Sequence, residues 1–168
     1  GADNFLEPYR LGQLNLNNNI NKLNRLIDNA FDRKEMVKDV QQVEMLSLKW
    51  QQKAGVPEIA LRREVNLGNK RFVDMELALS TETGKNILDQ LRQLLAAMNE
   101  RFITANNQHG QNLIIAISKD MVDMETGQRG FMITGKDNFL APYEAGQVSL
   151  KQNLAALKYL LQNAYDIK

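Results

Sequence analysis

Apolar side chains recur at alternating steps of four and three through most of this chain. That spacing admits little besides helices packed along a seam. One seam runs Leu16, Ile20, Leu23, Ile27 and Ala30, with Leu26 alongside, and a second runs Met36, Val40, Val43, Ser47, Trp50 and Ala54. A third takes Ile87, Leu91, Leu94, Met98, Phe102 and Ala105, and resumes at Leu113, Ile117, Met121 and Met124. The last is Leu150, Leu154, Leu157, Leu161 and Ala164. No stretch alternates with period two, so no strand is expected. With 10 Gly and 3 Pro among 168 residues, the chain is also poor in helix breakers.

The few breakers divide the seams. Pro8 and Pro142 suit a first helical turn, where a missing N–H goes unnoticed, and Asp3 or Asn4 and Asp137 or Asn138 are the natural N-caps before them. Gly55-Val56-Pro57 should kink or interrupt the second helix, which then resumes through Ile59, Val65 and Phe72 to about Leu79. Ser80 to Gly84 reads as a turn with a Ser/Thr cap. From Lys85 no strong breaker follows until Gly127, although Asn106 to Gly110 is polar and weakly helical. The expectation is an unbroken rod to about Ile133, roughly 70 Å long at about 1.5 Å per residue. Gly127, Gly130 and Gly135 then loosen the chain before the last helix.

A repeat underlies this order. Gly1 to Leu16, GADNFLEPYRLGQLNL, returns as Gly135 to Leu150, GKDNFLAPYEAGQVSL, at an offset of 134 and with ten of sixteen positions identical. Extended to Lys34 against Lys168, the register holds at 17 of 34 positions. Composition bias does not hold one register that long, so the chain carries one period of a duplicated unit and the start of the next copy. It opens inside a motif, as a piece cut from a larger protein would.

Composition narrows the chemistry. A net charge of +1, with 21 Lys+Arg against 20 Asp+Glu, gives no field that favours nucleic acid or an acidic membrane surface. The absence of cysteine removes disulfides, thiol catalysis and Cys-ligated zinc. No run of about 18 apolar residues marks a membrane span. His109, the only histidine, has no acidic neighbours with which to hold a metal, and the seven methionines sit at or beside seam positions as core filler. Acid pairs such as Asp120 with Asp123 fall on a helix expected to be solvated. There is no Glu-x-x-His pair and no Gly-rich phosphate loop. Neither an enzyme, a cofactor nor a metal is expected.

Before the second repeat stands Asp123-Met-Glu-Thr-Gly-Gln-Arg-Gly-Phe-Met-Ile-Thr-Gly135. Glu125 and Arg129 form an i,i+4 acid–base pair in the favourable order. Read with DNFLAPYEAG, the block resembles the third class of CHASE domains, extracytoplasmic sensors of bacterial histidine kinases, chemoreceptors and cyclases. The residues that carry the resemblance are Asp123, Glu125, Thr126, Gly127, Gln128, Arg129, Gly130, Thr134, Gly135, Leu140, Pro142 and Tyr143, with Gly84-Lys-x-x-Leu-Asp89 and the following LLAAM run matching more loosely. It implies an all-α, elongated antiparallel four-helix bundle with one very long helix, or two stacked bundle modules, standing between membrane spans outside this chain in the inner membrane. In the family pattern the ETGQRG helix comes first. Residues 1–108 would then be helices two to four of a first sensor bundle, and 109–168 helices one and two of a second copy, continuous across the junction.

For function, two readings stand. One is a periplasmic ligand-sensing domain of a transmembrane receptor, of histidine kinase or chemotaxis type, acting as a homodimer on an unknown small-molecule or protein ligand. The other is a helical scaffold that binds protein partners and no small molecule. The candidate ligand-binding residues are Arg62, Arg63 and Trp50, beside Glu58, together with Glu125, Gln128 and Arg129. Arginines pair with carboxylates through two parallel hydrogen bonds. Gly127, Gly130, Asn138, Pro142 and Tyr143 are the candidate structural corner, where small residues permit close backbone packing or a sharp bend. The seams of 110–134 and 137–166 lack partners in sequence order. They are buried either by a second chain in a dimer or by folding back on the preceding helices, as in a circular permutant.

Overall fold

The computed structural model describes residue 13, residues 15–20 and residues 33–163. The expected caps Asp3 and Asn4, Pro8, and the seam positions Leu23, Ile27, Ala30 and Ala164 lie outside the described residues; Leu16 and Ile20 are helical and exposed. Six α-helices follow: α1 Arg33–Trp50, α2 Val56–Asn66, α3 Phe72–Leu79, α4 Thr83–Thr104, α5 Gln108–Thr134 and α6 Ala141–Asn163. Among the described residues there is no strand.

Helices α1, α4, α5 and α6 pack antiparallel around one core. Met36, Val40, Val43 and Trp50 of α1 meet Leu91, Met98 and Phe102 of α4, Ile117 and Met124 of α5, and Leu157 and Leu161 of α6. The expected seams account for nearly all of these. In α4 the buried stripe is wider than the expected one, because Leu88 and Leu95 are buried while Leu94 is only half-buried. A helix that touches two neighbours needs a stripe broader than a single seam. The fold-back alternative is thus the arrangement of this chain: the seams of α5 and α6 are buried by α1 and α4.

The unbroken rod is corrected. α4 ends at Thr104 and α5 begins at Gln108, and the chain reverses between them. Asn106 adopts φ 52°, a left-handed conformation that Asn tolerates better than most residues, and Asn107 caps α5 by accepting from the Gly110 N–H at 2.8 Å. Gly110 makes the reversal close, since a Cβ there would stand 2.2 Å from the Phe102 ring. Polar residues that looked merely weak in helix propensity are therefore turn and cap chemistry.

The second interruption takes an unexpected form. At Gln51–Gly55 the backbone widens into one π-helical turn, in which Val56 N–H reaches Gln51 O, and α2 then starts with Pro57 in its first turn. Pro57 has no N–H to give, and its ring crowds the carbonyl four residues back, so widening by one residue relieves the conflict. The continuous helix to Leu79 is also corrected. α2 stops at Asn66, Gly68 turns the chain at φ 78°, and α3 begins after Arg71, whose backbone N–H donates to Asp74 Oδ2 at 3.0 Å. The expected Ser/Thr cap of α4 is absent: its N-cap is Glu82 at φ 51°, with no side-chain bond, while the Ser80 hydroxyl donates to Leu77 O.

Gly127 and Gly130 do not loosen the chain, for both lie inside α5. Only Gly135 ends the helix, at φ 69°, with its N–H on Phe131 O at 2.7 Å. Asp137 and Asn138 sit in a short 3-10 turn, Asp137–Leu140, that leads directly into α6, and neither caps it.

Candidate functional site

At the end of the bundle where α1 leaves through its π turn, the helices enclose an open cavity of about 340 Å³. Five elements build its walls. Trp50, Ala54 and Glu58 come from α1, the π turn and α2; Thr83, Gly84, Lys85 and Leu88 from the start of α4; Glu125, Gln128, Arg129 and Met132 from α5. Leu79, Glu82 and Ile133 complete the rim.

The polar groups are tied across helices. Glu125, buried on α5, pairs with Arg129 at 2.8 Å one turn on, and accepts from Arg92 of α4 at 2.5 Å. Asp89 in turn holds Arg92 at 2.9 Å. What looked like a surface i,i+4 pair is therefore a bridge between α4 and α5. Gln128, also buried, donates to the Glu58 carboxylate on α2. Burial pushes the Glu58 carboxyl above its usual range, and the Gln128 amide and Arg129 charge pull it back only in part.

Trp50 is almost wholly buried, yet no described residue accepts its indole N–H. Its ring tilts against Tyr143 with centroids 6.2 Å apart, within the range of a favourable aromatic pair. Gly84 lets the start of α4 come close to the π turn: a Cβ there would meet Ala54 Cβ at 2.9 Å and stand 3.5 Å from Trp50 Nε1 and 3.8 Å from Glu58 Oε1.

Behind the cavity is the corner between α5 and α6. A Cβ at Gly127 would lie 2.7 Å from the Tyr143 backbone nitrogen, and one at Gly130 would lie 2.6 Å from the Phe139 ring. These glycines let the two helices touch. Tyr143 is buried there, and burial raises the pKa of its hydroxyl against the opposing pull of Gln147, whose amide N–H₂ is directed to Gln51 at 2.9 Å. Pro142 and Asn138 are exposed, so of the expected packing only Tyr143 provides it; Pro142 serves the first turn of α6.

Four of the six candidate ligand residues, Trp50, Glu125, Gln128 and Arg129, thus line one cavity. Arg62 and Arg63 do not. Arg62 lies over the Phe72 ring at 5.9 Å and against Gly135, and Arg63 lies over Phe131 at 5.9 Å and 3.9 Å from Asp137. Together they brace α2 on the end of α5. Sequence reasoning missed Gly84, Lys85 and Arg92, because nothing local pairs Arg92 with Glu125 across two helices. Asp120 is corrected as well. It is buried rather than solvated, and accepts from Asn153 of α6 at 2.7 Å. Among the described residues no acidic or histidine cluster could hold a metal ion.

The arrangement at this corner can be set beside known families. The CHASE3 domain profile matches residues 1–112 and again 104–166. The chain belongs to the CHASE3 family. CHASE3 domains are extracytoplasmic sensor domains of signalling receptors and are not themselves catalytic. Neither a curated protein nor a solved structure matches the chain. Among the described residues of this CHASE3 chain, no helix is long and apolar enough to cross a membrane.

Proposed function

We propose that the chain is the ligand-sensing part of a bacterial transmembrane receptor of histidine kinase or chemotaxis type, in which a ligand in the Trp50 cavity displaces helices that lead to the membrane. One observation carries the reading: side chains from α1, α2, α4 and α5 converge on a single cavity, so an occupant would bear on all of them at once. The volume falls at the small end of ligand pockets, about 300–1,000 Å³. A π turn at its wall fits as well, since such turns are frequent at functional sites.

The receptor works as a homodimer in this proposal. A groove between α4 and α5, lined by Leu95, Ser118 and the exposed Ile115 and Val122, offers a face for the second copy. The repeat and the two overlapping family matches support a further part of it, that residues 1–108 are helices two to four of one copy of a repeated unit and residues 109–168 helices one and two of the next.

A thermal-shift screen of the chain against amino acids, organic acids and polyamines tests ligand sensing. A compound that binds the folded form raises the melting temperature by mass action. Filling the cavity through the rim residue with Leu79→Trp should abolish that shift and the output of the parent receptor. If no compound at millimolar concentration moves the melting point, and Leu79→Trp leaves receptor output unchanged, ligand sensing fails. The helical scaffold that binds protein partners then takes its place.

A further inference from the structure

The class of ligand can be argued from what the cavity offers, and the argument rests on the ligand-sensing reading above. Charge comes first. Glu58, Glu82 and Glu125 line the cavity, against Lys85 and Arg129 on the wall and Arg92 behind Glu125. The two signs balance, so a bare anion would sit against Glu58 and a bare cation against Lys85 and Arg129. A neutral occupant that presents both signs meets neither penalty.

Hydrogen bonding comes second. The indole N–H of Trp50 can only donate, lies in a nearly buried side chain, and has no acceptor among the described residues. Trp50 lines the cavity, so its N–H is open to an acceptor from outside the chain. Glu58 keeps one oxygen free of Gln128, and it stands on the same side as the indole: both Glu58 Oε1 and Trp50 Nε1 flank Gly84, within 4 Å of where its Cβ would be. An acceptor and a donor on one wall of the same cavity suit an ammonium and a carboxylate carried on one carbon. Beyond them, Leu79, Leu88, Met132 and Ile133 give the wall an apolar side.

We propose that this cavity binds a small zwitterion of the α-amino-acid class with an apolar side chain. Its ammonium group rests on Glu58, its carboxylate on the Trp50 indole N–H and Lys85, and its side chain on the apolar wall.

Calorimetric titration of the full chain with three probes tests this: L-leucine, its decarboxylated form 3-methylbutylamine and its deaminated form 4-methylpentanoate. L-leucine should bind at least about tenfold more tightly than either, since each lost charged hydrogen bond removes about that factor. Glu58→Gln should erase the advantage over 4-methylpentanoate, and Lys85→Gln, at an exposed position, the advantage over the amine. Glu58→Gln keeps an acceptor for Gln128, and a cooperative melting transition that matches the native chain below pH 4.5 shows that it folds. The proposal is overturned if either half-ligand equals L-leucine, if Glu58→Gln leaves L-leucine affinity intact, or if none of the three binds. Should none bind while another compound still gives a Leu79→Trp-sensitive shift, the amino-acid class falls and ligand sensing stands. If no compound does so, both fall.

Discussion

The two ends of this bundle are built from the same helices to opposite plans. Where α4 turns into α5, Met36, Met98, Phe102 and Ile117 interlock with almost no exposure, and the polar additions are few: Arg101 bonded to Asp39 and the Arg33 guanidinium on the Gln162 carbonyl. At the other end Glu58, Glu125 and Gln128 are drawn inward around an open cavity, with Arg92 from α4 and Arg129 from the next turn of α5 holding Glu125. The first end is packed for stability. The second gives up close packing and keeps in its place a set of charges held at fixed positions, which is what recognition requires.

That contrast can be broken by experiment. Phe102→Ala should cost the most, about 3–5 kcal/mol in urea unfolding, because it empties the tight end and leaves Gly110 facing a hole. A smaller loss there would mean that the turn end is not the anchor. Gly127→Ala should follow with about 1–3 kcal/mol, since the new methyl meets Tyr143 backbone, which cannot swing aside as a side chain would. Glu125→Gln should cost about 1–2 kcal/mol, as two half-exposed or exposed arginines lose their shared carboxylate. It should also loosen the cavity end alone, seen as faster amide exchange in α4 near Arg92 with the turn end unchanged.

The smallest effect concerns pH. Burial raises the Glu58 carboxyl above its unfolded value of 4.5, so the folded state holds that proton more tightly. Its contribution to stability is therefore full below pH 4.5 and declines as pH rises through the raised value. Glu58→Gln should remove this slope while leaving the melting temperature below pH 4.5 unaltered. A wild-type melting profile without the slope would place Glu58 in water.

Much of the fold could be read from spacing alone. Met36, Val40, Val43, Ser47, Trp50 and Ala54 are all buried, as are Leu150, Leu154, Leu157 and Leu161. A seam, though, says that a face is buried and not what buries it. The reversal at Asn106 and the packing of α5 and α6 onto α1 and α4 depended on two asparagines, a glycine and a phenylalanine acting together. The site was legible where the ETGQRG block placed Glu125, Gln128 and Arg129 on one helix. It was obscure for Gly84 and Arg92, whose roles arise from neighbours far along the chain.

The π turn at Gln51–Gly55 has a consequence for how the α2–α3 arm is aimed. One extra residue in a helix rotates everything beyond it by about 100° around the axis. Here that rotation turns α2 out of the α1 seam, so that of its residues only Ile59 is buried, and brings Glu58 to Gln128 and Arg63 to Phe131. The turn works as a one-tooth gear. Deleting Lys53 would restore ordinary helical winding, swing the arm back by that tooth, and carry Glu58 away from the cavity wall.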